Sequence, residues 1–270
     1  MGSLLTYEDK KRVVLLFIAL LVAVWVAVDA VAGGSAHWQR VLVRLPLLLT
    51  GEGSGWPITG GFALNILLSI ASMALATALG TLMGLATLAR SAIVRTPAFL
   101  VMNFLRNSPW LVLLFAMLYI LPFQMRIFGF VVPFPPFVKA VIGLALPTAA
   151  NFSEVIRGAV QSIHSGQWEA ARSLGYTTGQ IYRHVIMPQA LRRMIPGWMN
   201  LYALLMIATA LATVTGIQDV LTILNTSLAM ESERVIVYFY LTILFLFFAY
   251  CYPIALFARR LERAVKGDNL

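Results

Sequence analysis

Residues 166–193 read GQWEAARSLGYTTGQIYRHVIMPQALRR. This polar, partly charged stretch interrupts a chain of 270 residues in which 60% of the residues are hydrophobic and only 11% are charged. An ordinary soluble domain contains about 25% charged residues. The composition therefore predicts an integral membrane protein, in which residues 166–193 separate apolar segments that are suited to lipid.

Apolar segments of the length needed to cross a bilayer, about 20 residues, recur along the chain. We expect an all-α, polytopic membrane protein with about six transmembrane helices. The first segment could also belong to a cleavable signal peptide, but the apolar segments that follow it favour an uncleaved span. The six segments are residues 13–28, 53–89, 107–125, 137–157, 194–218 and 235–258.

Lysine and arginine are concentrated in alternate connections between these segments. The positive-inside rule then orients the chain with both termini and residues 166–193 in the cytoplasm. The basic residues of the cytoplasmic segments are Lys10, Lys11, Arg12, Arg90, Arg95, Arg157, Arg172, Arg183, Arg192, Arg193, Arg259, Arg260, Arg263 and Lys266.

The first half of residues 166–193 predicts a short helix that ends at a glycine. Ser165 and Gly166 can end the preceding helix and cap a new one, which should run to Leu174 because good helix formers follow. Gly175 comes next, and glycine adopts the positive φ of a helix-ending residue without steric cost.

The second half predicts another short helix. Thr177 lies three residues before Gln180, which is the spacing of a capping box. A helix should therefore run over about 178–187, until Pro188 prevents its normal continuation.

One face of the first short helix is apolar, because Trp168, Ala171 and Leu174 recur at three-residue steps. We expect this ridge to face a partner beyond the membrane. An amphipathic hairpin lying on the lipid is the alternative, but membrane-surface helices usually bury large side chains. The small alanines of this stretch favour a docking element for a protein.

Small residues recur every four positions in segment 53–89, so one face of that helix is nearly flat. Packing inside the chain and a subunit interface are both compatible with this face, and both interpretations remain open. The residues are Ser72, Ala76, Gly80 and Gly84.

A bend is expected at the start of the third span. Ser108 followed by Pro109 is typical of an N-cap and a first helical position, so the chain should bend at 106–107. After this span, residues 121–137 contain four prolines and predict an outer loop rather than a regular helix.

Patterns for ATP, metal and acid–base chemistry are missing from the sequence. None of the four lysines follows a glycine, as a phosphate-binding loop requires. His37, His164 and His184 lack partners at metal-ligand spacing, and a single cysteine excludes an internal disulfide. We therefore expect a transport protein that is not an enzyme, with no catalytic residue, metal or cofactor of its own.

The letters EAA at residues 169–171, followed by Gly175 and Pro188, resemble the EAA loop of bacterial ABC importer permeases. Glutamate, glycine and proline all fall at the spacing of that loop. Its usual ending, Ile-x-Leu-Pro, reads VIMP at residues 185–188, which is a mild departure.

Flanking segments resemble the polar amino acid branch of this family. FLRNSP at residues 104–109 is similar to the Phe-Arg-Gly-Thr-Pro segment of the branch, and EVIRG at 154–158 is similar to its Glu-Ile-x-Arg-Gly. The resemblance covers about residues 60–258, so the first span looks like an N-terminal addition.

The resemblance implies the transmembrane domain of a type I ABC importer. Such a permease moves polar amino acids or related small zwitterionic solutes from a periplasmic binding protein to the cytoplasm by alternating access. The implied partners are a dimer of ABC ATPases that binds ATP and Mg, a second permease subunit in a homodimer or heterodimer, the binding protein and the inner-membrane lipid, without nucleic acid. A stand-alone channel or ion-coupled secondary carrier is the alternative, and it would transport without ATPases.

The chain then divides into an N-terminal extra transmembrane helix with a periplasmic loop over residues 1–60, a permease domain over 61–258 and a basic cytoplasmic tail over 259–270. Within the permease domain, residues 166–188 are expected to couple the ATPases to the spans. We call residues 166–188 the coupling segment.

Polar residues within the spans are the expected solute pathway, because ionisable groups are costly in a membrane and usually face a cavity or a partner. For Glu154 the alternative is an ion pair with Arg157 or Arg106. The expected ATPase-coupling residues are Gln167, Trp168, Glu169, Ala170, Ala171, Leu174, Gly175 and Pro188. The expected pathway residues are Asn65, Asn151, Glu154, Asn200 and Thr209. The residues expected to have structural or gating roles are Arg106, Pro109 and Arg157.

Three positions depart from the polar amino acid branch. The branch commonly has Asn-Gln where residues 200–201 read NL here. It has Lys-Asp-Thr-Ser-Leu where residues 207–211 read IATAL, so a lysine and an aspartate are missing. Its tyrosine before the fourth-span glutamate is Asn151 in this chain. The substrate contacts of the branch are therefore not carried over, and the solute stays open among amino acids, opines and betaines.

Overall fold

A computed structural model describes residues 34–51, 60–127, 130–228 and 233–267. This part of the chain is almost entirely helical, as the sequence predicts, and the predicted first span at residues 13–28 lies outside it. The helices are α1 (Gly34–Thr50), α2 (Gly61–Thr87), α3 (Ala92–Asn107), α4 (Trp110–Ile120), α5 (Pro136–Gln161), α6 (Ser165–Ser173), α7 (Thr178–Gln180), α8 (Met187–Ala208), α9 (Val220–Leu228) and α10 (Glu233–Gly267).

Three helical segments in the described part of the chain are long and apolar enough to cross a membrane: Gly61–Thr87, Thr178–Thr215 and Val235–Ala264. Helices α3 and α4 meet the same criterion as one broken span, bent by 107°. The span predicted at residues 137–157 forms α5, which is long enough to cross a bilayer at about 1.5 Å per residue. The count of six spans stays a prediction.

Helices α2 and α5 pack closely because small residues of α2 face α5. A Cβ atom on Gly80 would lie 2.7 Å from the carbonyl oxygen of Ala149, and one on Gly84 would lie 3.1 Å from the Ile156 side chain. Ser72 and Ala76, on the same face, are also buried. The flat face is therefore used for packing inside the chain.

An apolar cluster gathers α1, α9 and α10 around the start of α2. Val41, Phe62, Leu224 and Phe239 are among its buried members. At this end the backbone N–H of Gly61 donates to the carbonyl of Gln218 at 2.9 Å. The beginning of α2 is thus fixed against the segment that leads into α9.

A bend between α3 and α4 is present, but it lies at 108–109, since 106–107 still belong to α3. Its cap also differs from the prediction. Pro109, and not Ser108, is the N-cap of α4, and its backbone is extended. The Ser108 hydroxyl instead donates to the carbonyl of Phe104 at 2.7 Å. Ser108 ends α3 with an extended backbone, because the following Pro109 disfavours the helical conformation at this position.

The proline-rich loop contains a short hairpin that the sequence did not predict. Strand β1 (Gln124–Ile127) pairs antiparallel with β2 (Phe130–Pro133). Pro133 lies at the end of its strand, where a missing N–H interrupts no interior pairing. Four prolines thus exclude a regular helix here but still allow a two-stranded ribbon.

We predict that Gly80→Ala destabilises the protein by roughly 1–3 kcal/mol, because the added methyl overlaps the backbone of α5. Thermal unfolding in detergent measures the change. Gly158→Ala is the matched control, since a Cβ atom at Gly158 meets nothing within 4 Å. Equal thermal stability of the two variants would contradict the packing role of Gly80.

Candidate functional site

The coupling segment begins with the helix and glycine turn that the sequence predicts. The cap differs slightly, since Nδ1 of His164 accepts the N–H of Gly166 at 3.1 Å and caps α6. At the other end, Gly175 has a φ of +79° and its N–H donates to Arg172 at 2.9 Å. A Cβ atom at Gly175 would meet nothing within 4 Å. Glycine is therefore required by the backbone conformation and not by crowding.

The predicted capping box is present at the second helix. The N–H of Thr177 donates to Oε1 of Gln180 at 2.8 Å, and the N–H of Gln180 donates to Oγ1 of Thr177 at 3.5 Å. This reciprocal pair satisfies two donors that a helix start leaves without partners. The direction of the second helix is thus set by its own first turn.

Pro188 does not end the second helix, and that prediction is wrong. After α7 the chain forms a π-helical segment, Ile181–Ile186, and the N–H of Met187 donates to the carbonyl of Tyr182, five residues back. Nε2 of Gln189 also donates to the carbonyl of Val185, one turn back, at 2.9 Å. The helix therefore passes through Pro188 into α8.

The apolar ridge of α6 does not face outward as a whole. Ala171 is 4% exposed, and the ring of Trp168 lies edge-on to that of Tyr182, with 5.0 Å between centroids. The prediction of an outward ridge is wrong for these two residues, because the π-helical segment covers them. Leu174, by contrast, is 75% exposed.

The exposed surface of α6 is a small mixed patch. Glu169, Ala170 and Leu174 are exposed there, and Tyr176 follows beyond the glycine turn. Gln167 is also exposed, and its Oε1 accepts Nε2 of Gln189 at 3.4 Å. This patch can meet a partner through one carboxylate, one small residue and one large apolar side chain. We call Glu169, Ala170, Leu174 and Tyr176 the α6 patch.

The buried side of the coupling segment joins it to the spans. Ala171, Ile181 and Ile186 share an apolar cluster with Ile156 and Val160 of α5. Burial of apolar surface in such a cluster is the main term that holds packed elements together. The side of α6 opposite the α6 patch is therefore packed against α5 and the start of α8.

Glu154 forms an ion pair with both of the arginines that the sequence offers. Arg157 donates through Nε to Oε2 at 2.9 Å and through Nη2 to Oε1. Nη1 of Arg106 lies 3.5 Å from the same carboxylate. In the structure, Glu154 thus forms the ion pair that was the alternative to a role in the solute pathway. The pair with Arg106 joins the end of α3 to α5 beside the bend.

The other expected pathway residues do not converge on one point. Asn65 and Thr209 are fully buried and lie together, with 3.1 Å between Nδ2 and Oγ1. Nδ2 of Asn151 donates within its own helix to Pro147 at 2.8 Å. Asn200 is exposed and lines a cavity of about 490 Å³ between α8 and α10. Only Asn65 and Thr209 form a direct contact among these four residues.

A second cavity, of about 520 Å³, separates α4 from α8. Pro109, Trp110 and Leu111 line it on one side, and Leu204 and Ile207 on the other. Pro109 thus places the start of α4 at a cavity wall. The two cavities share Leu204 and Ile207 of α8, so this exposed face of α8 separates them.

Asp219 belongs to none of the predicted sites, although it is fully buried. Its carboxylate accepts the hydroxyl of Thr213 at 3.0 Å and the N–H of Thr222 at 2.9 Å. Aspartate before an apolar helix start is an N-cap signal that could have identified it. Among the described residues, no group of three His, Cys, Asp or Glu side chains could hold a metal.

A lysine is also buried inside the bundle. Lys139 is 1% exposed, and its Nζ donates to the carbonyl of Leu118 at 3.0 Å. The ammonium also lies 4.2 Å from the ring centroid of Phe123, a cation–π geometry. Both contacts place the lysine at the end of α4, where helix carbonyls lack intrahelical partners.

Comparisons with known proteins give consistent results. A family described as "Binding-protein-dependent transport system inner membrane component" matches residues 76–267. The chain is similar to the probable amino-acid ABC transporter permease PatM of Vibrio harveyi, with 36% identity over 68% of this chain and 77% of the relative. It is also similar to the L-cystine transport system permease TcyB of Bacillus subtilis (strain 168), with 30% identity over 82% of this chain and 96% of the relative.

A solved structure has the same fold. It is a crystal structure of an amino acid ABC transporter with histidines, with a TM-score of 0.70 and 23% identity, covering 84% of this chain and 97% of that one. The methionine ABC transporter MetNI in an inward-facing conformation is also similar, with a TM-score of 0.55 and 22% identity, and the match covers 76% of this chain and 92% of that one.

We predict that Glu154→Gln lowers stability by about 1 kcal/mol, because two partly exposed guanidinium groups lose their shared carboxylate. Thermal unfolding in detergent reports the effect. Glu169→Gln, at an exposed glutamate, should stay within about 0.5 kcal/mol of the wild type. If Glu154→Gln unfolds at the wild-type temperature, the ion pair has no structural role.

Proposed function

Since the chain belongs to the family of binding-protein-dependent transport system inner membrane components, and is a permease subunit of an ABC importer, we propose that it imports polar amino acids or related small zwitterionic solutes. An external binding protein delivers the solute. Partner ATPases drive alternating access, as the sequence resemblance implies. The amino acid transport named for the similar permeases supports this choice of solute class.

The α6 patch is the observation that supports the coupling role. It is exposed, while the opposite side of α6 packs on α5 and on the π-helical segment. A partner that binds the patch therefore pushes on elements that are packed together. We propose that two ABC ATPase subunits, which bind ATP and Mg, hold this patch on two permease subunits.

Transport then requires shape and rigidity from this chain and no catalytic group. ATP binding closes the ATPases and displaces α6. Because the helix from Thr178 to Thr215 is continuous, the displacement reaches the face of α8 that carries Leu204 and Ile207. Movement of this face changes the cavities on its two sides, which is how access alternates in this proposal.

A stand-alone channel or ion-coupled carrier is disfavoured by the family membership. An ion-coupled carrier also needs a group in its spans that can take up an ion. The carboxylate of Glu154 pairs with Arg157 and Arg106, and that of Asp219 caps α9. Neither carboxylate is available as an ion site in this conformation.

We place the chain in the bacterial inner membrane with both termini in the cytoplasm, which the distribution of lysine and arginine supports. A second permease subunit completes the pathway. Transport assays with the binding protein encoded beside the chain would identify the solute.

We predict that Gly175→Val uncouples ATP hydrolysis from uptake. A β-branched residue at positive φ costs about 1–2 kcal/mol, so the turn changes conformation and α6 is displaced. Solute transported per ATP hydrolysed should fall roughly tenfold in proteoliposomes, since 1.4 kcal/mol is a factor of ten.

Gly179→Val is the matched control for this experiment. A Cβ atom meets nothing within 4 Å at either glycine, but only Gly175 has a positive φ. The control should keep the wild-type ratio of solute to ATP. Normal transport by the Gly175→Val complex would show that the turn has no role in coupling.

We also predict that Ala170→Trp prevents the ATPase from binding, because the large ring occupies the centre of the α6 patch. Co-purification of the ATPase with tagged permease measures this. Ala264→Trp, at an exposed alanine near the end of α10, should retain the ATPase. Equal retention by both variants would place the docking surface elsewhere.

A further inference from the structure

Arg90 makes a contact with the coupling segment that no sequence motif indicates. It lies in the connection between α2 and α3, and its Nη2 donates to the hydroxyl of Thr178. Thr178 is the first residue of α7 and follows the capping residue Thr177. The guanidinium therefore holds the start of the continuous helix that leads into α8.

A second contact of different character lies beside it. Leu88 packs against the apolar cluster that contains Ala171, Ile181 and Ile186. Apolar contacts of this kind are non-directional, so Leu88 alone allows the two elements to slide past each other. The hydrogen bond from Arg90 is directional and fixes their register.

The connection that contains Arg90 leads directly into the broken span. Helix α3 begins at Ala92, and at its other end Arg106 lies 3.5 Å from Glu154. The chain then bends by 107° into α4, where Trp110 and Leu111 line the cavity against α8. Arg90 thus joins the coupling segment to the helix pair on the far wall of that cavity.

We propose that Arg90 is a positioning residue through which movement of the coupling segment reaches α3 and α4. This inference rests on the proposed function, because the coupling segment must receive its movement from the ATPases. The continuous helix transmits the movement to the α8 wall, and Arg90 transmits it to the α4 wall. Movement of both walls relative to each other changes the cavity between them more than movement of the α8 wall alone.

A double-mutant cycle in proteoliposomes tests this role. The complex of permease, ATPases and binding protein is prepared with Arg90→Ala, with Thr178→Val and with both substitutions. Solute transported per ATP hydrolysed should fall about threefold in each single variant, as expected for one modest hydrogen bond. The double variant should fall no further, because both substitutions remove the same contact.

Two further variants make the result specific. Arg95→Ala removes an exposed arginine five residues further on and should keep the wild-type ratio. Arg90→Lys keeps a charged donor on a long side chain and should recover part of the loss, since lysine lacks the planar fork of arginine. Thr178→Val tests the contact from the other side while preserving the side-chain shape.

The outcomes separate this inference from the proposed function. Wild-type ratios in both single variants would overturn the role of Arg90, and so would losses that multiply in the double variant. Failure of the unsubstituted permease to bind an ATPase would instead overturn the proposed function itself. Co-purification of the ATPase should be unchanged by Arg90→Ala, because Arg90 acts beside the docking patch and not within it.

Discussion

Continuity of the helix from Thr178 to Thr215 is the constraint on which the rest of the structure depends. Proline inside an α-helix removes a hydrogen bond and clashes with the preceding turn. A π-helical segment, in which the N–H of Met187 bonds five residues back, precedes Pro188, and the helix continues through the proline. The π-helical segment on which α6 packs and the wall of the cavities therefore belong to one continuous helix.

Pairing of polar groups fixes the other end of this element. A polar group that lies in a membrane without a partner is costly, so such groups are bonded to one another. Asn65 of α2 bonds to Thr209 and to the N–H of Val220, and Asp219 caps α9. Apolar side chains, in contrast, line the cavities beside Leu204 and Ile207. Hydrogen bonds between polar groups thus hold these helices in place, while an apolar face of α8 remains exposed.

Local rules predicted the parts of the coupling segment that depend only on neighbours in sequence. The positive φ of Gly175 and the capping box of Thr177 follow from steric limits and from unpaired helix ends. The sequence also predicted a bend next to Pro109, although not its position or its cap. The outward direction of Trp168 and Ala171 was wrong, since periodicity shows that residues share a face but not what covers it. The effect of Pro188 was wrong because a change of helix type lies outside a rule made for α-helices.

The sequence by itself determined the membrane class, the helical fold, the family, and the glycine turn and capping box within residues 166–188. Each of these rests on composition or on short-range spacing, which no partner can alter. Tertiary structure decided that the small face of α2 packs on α5, that Glu154 takes both Arg157 and Arg106, and that Arg90 reaches Thr178. Apart from the pair of Glu154 with Arg157, which lies within one helix, these contacts join residues that are far apart in sequence. Only the packing of whole helices brings their atoms within bonding distance.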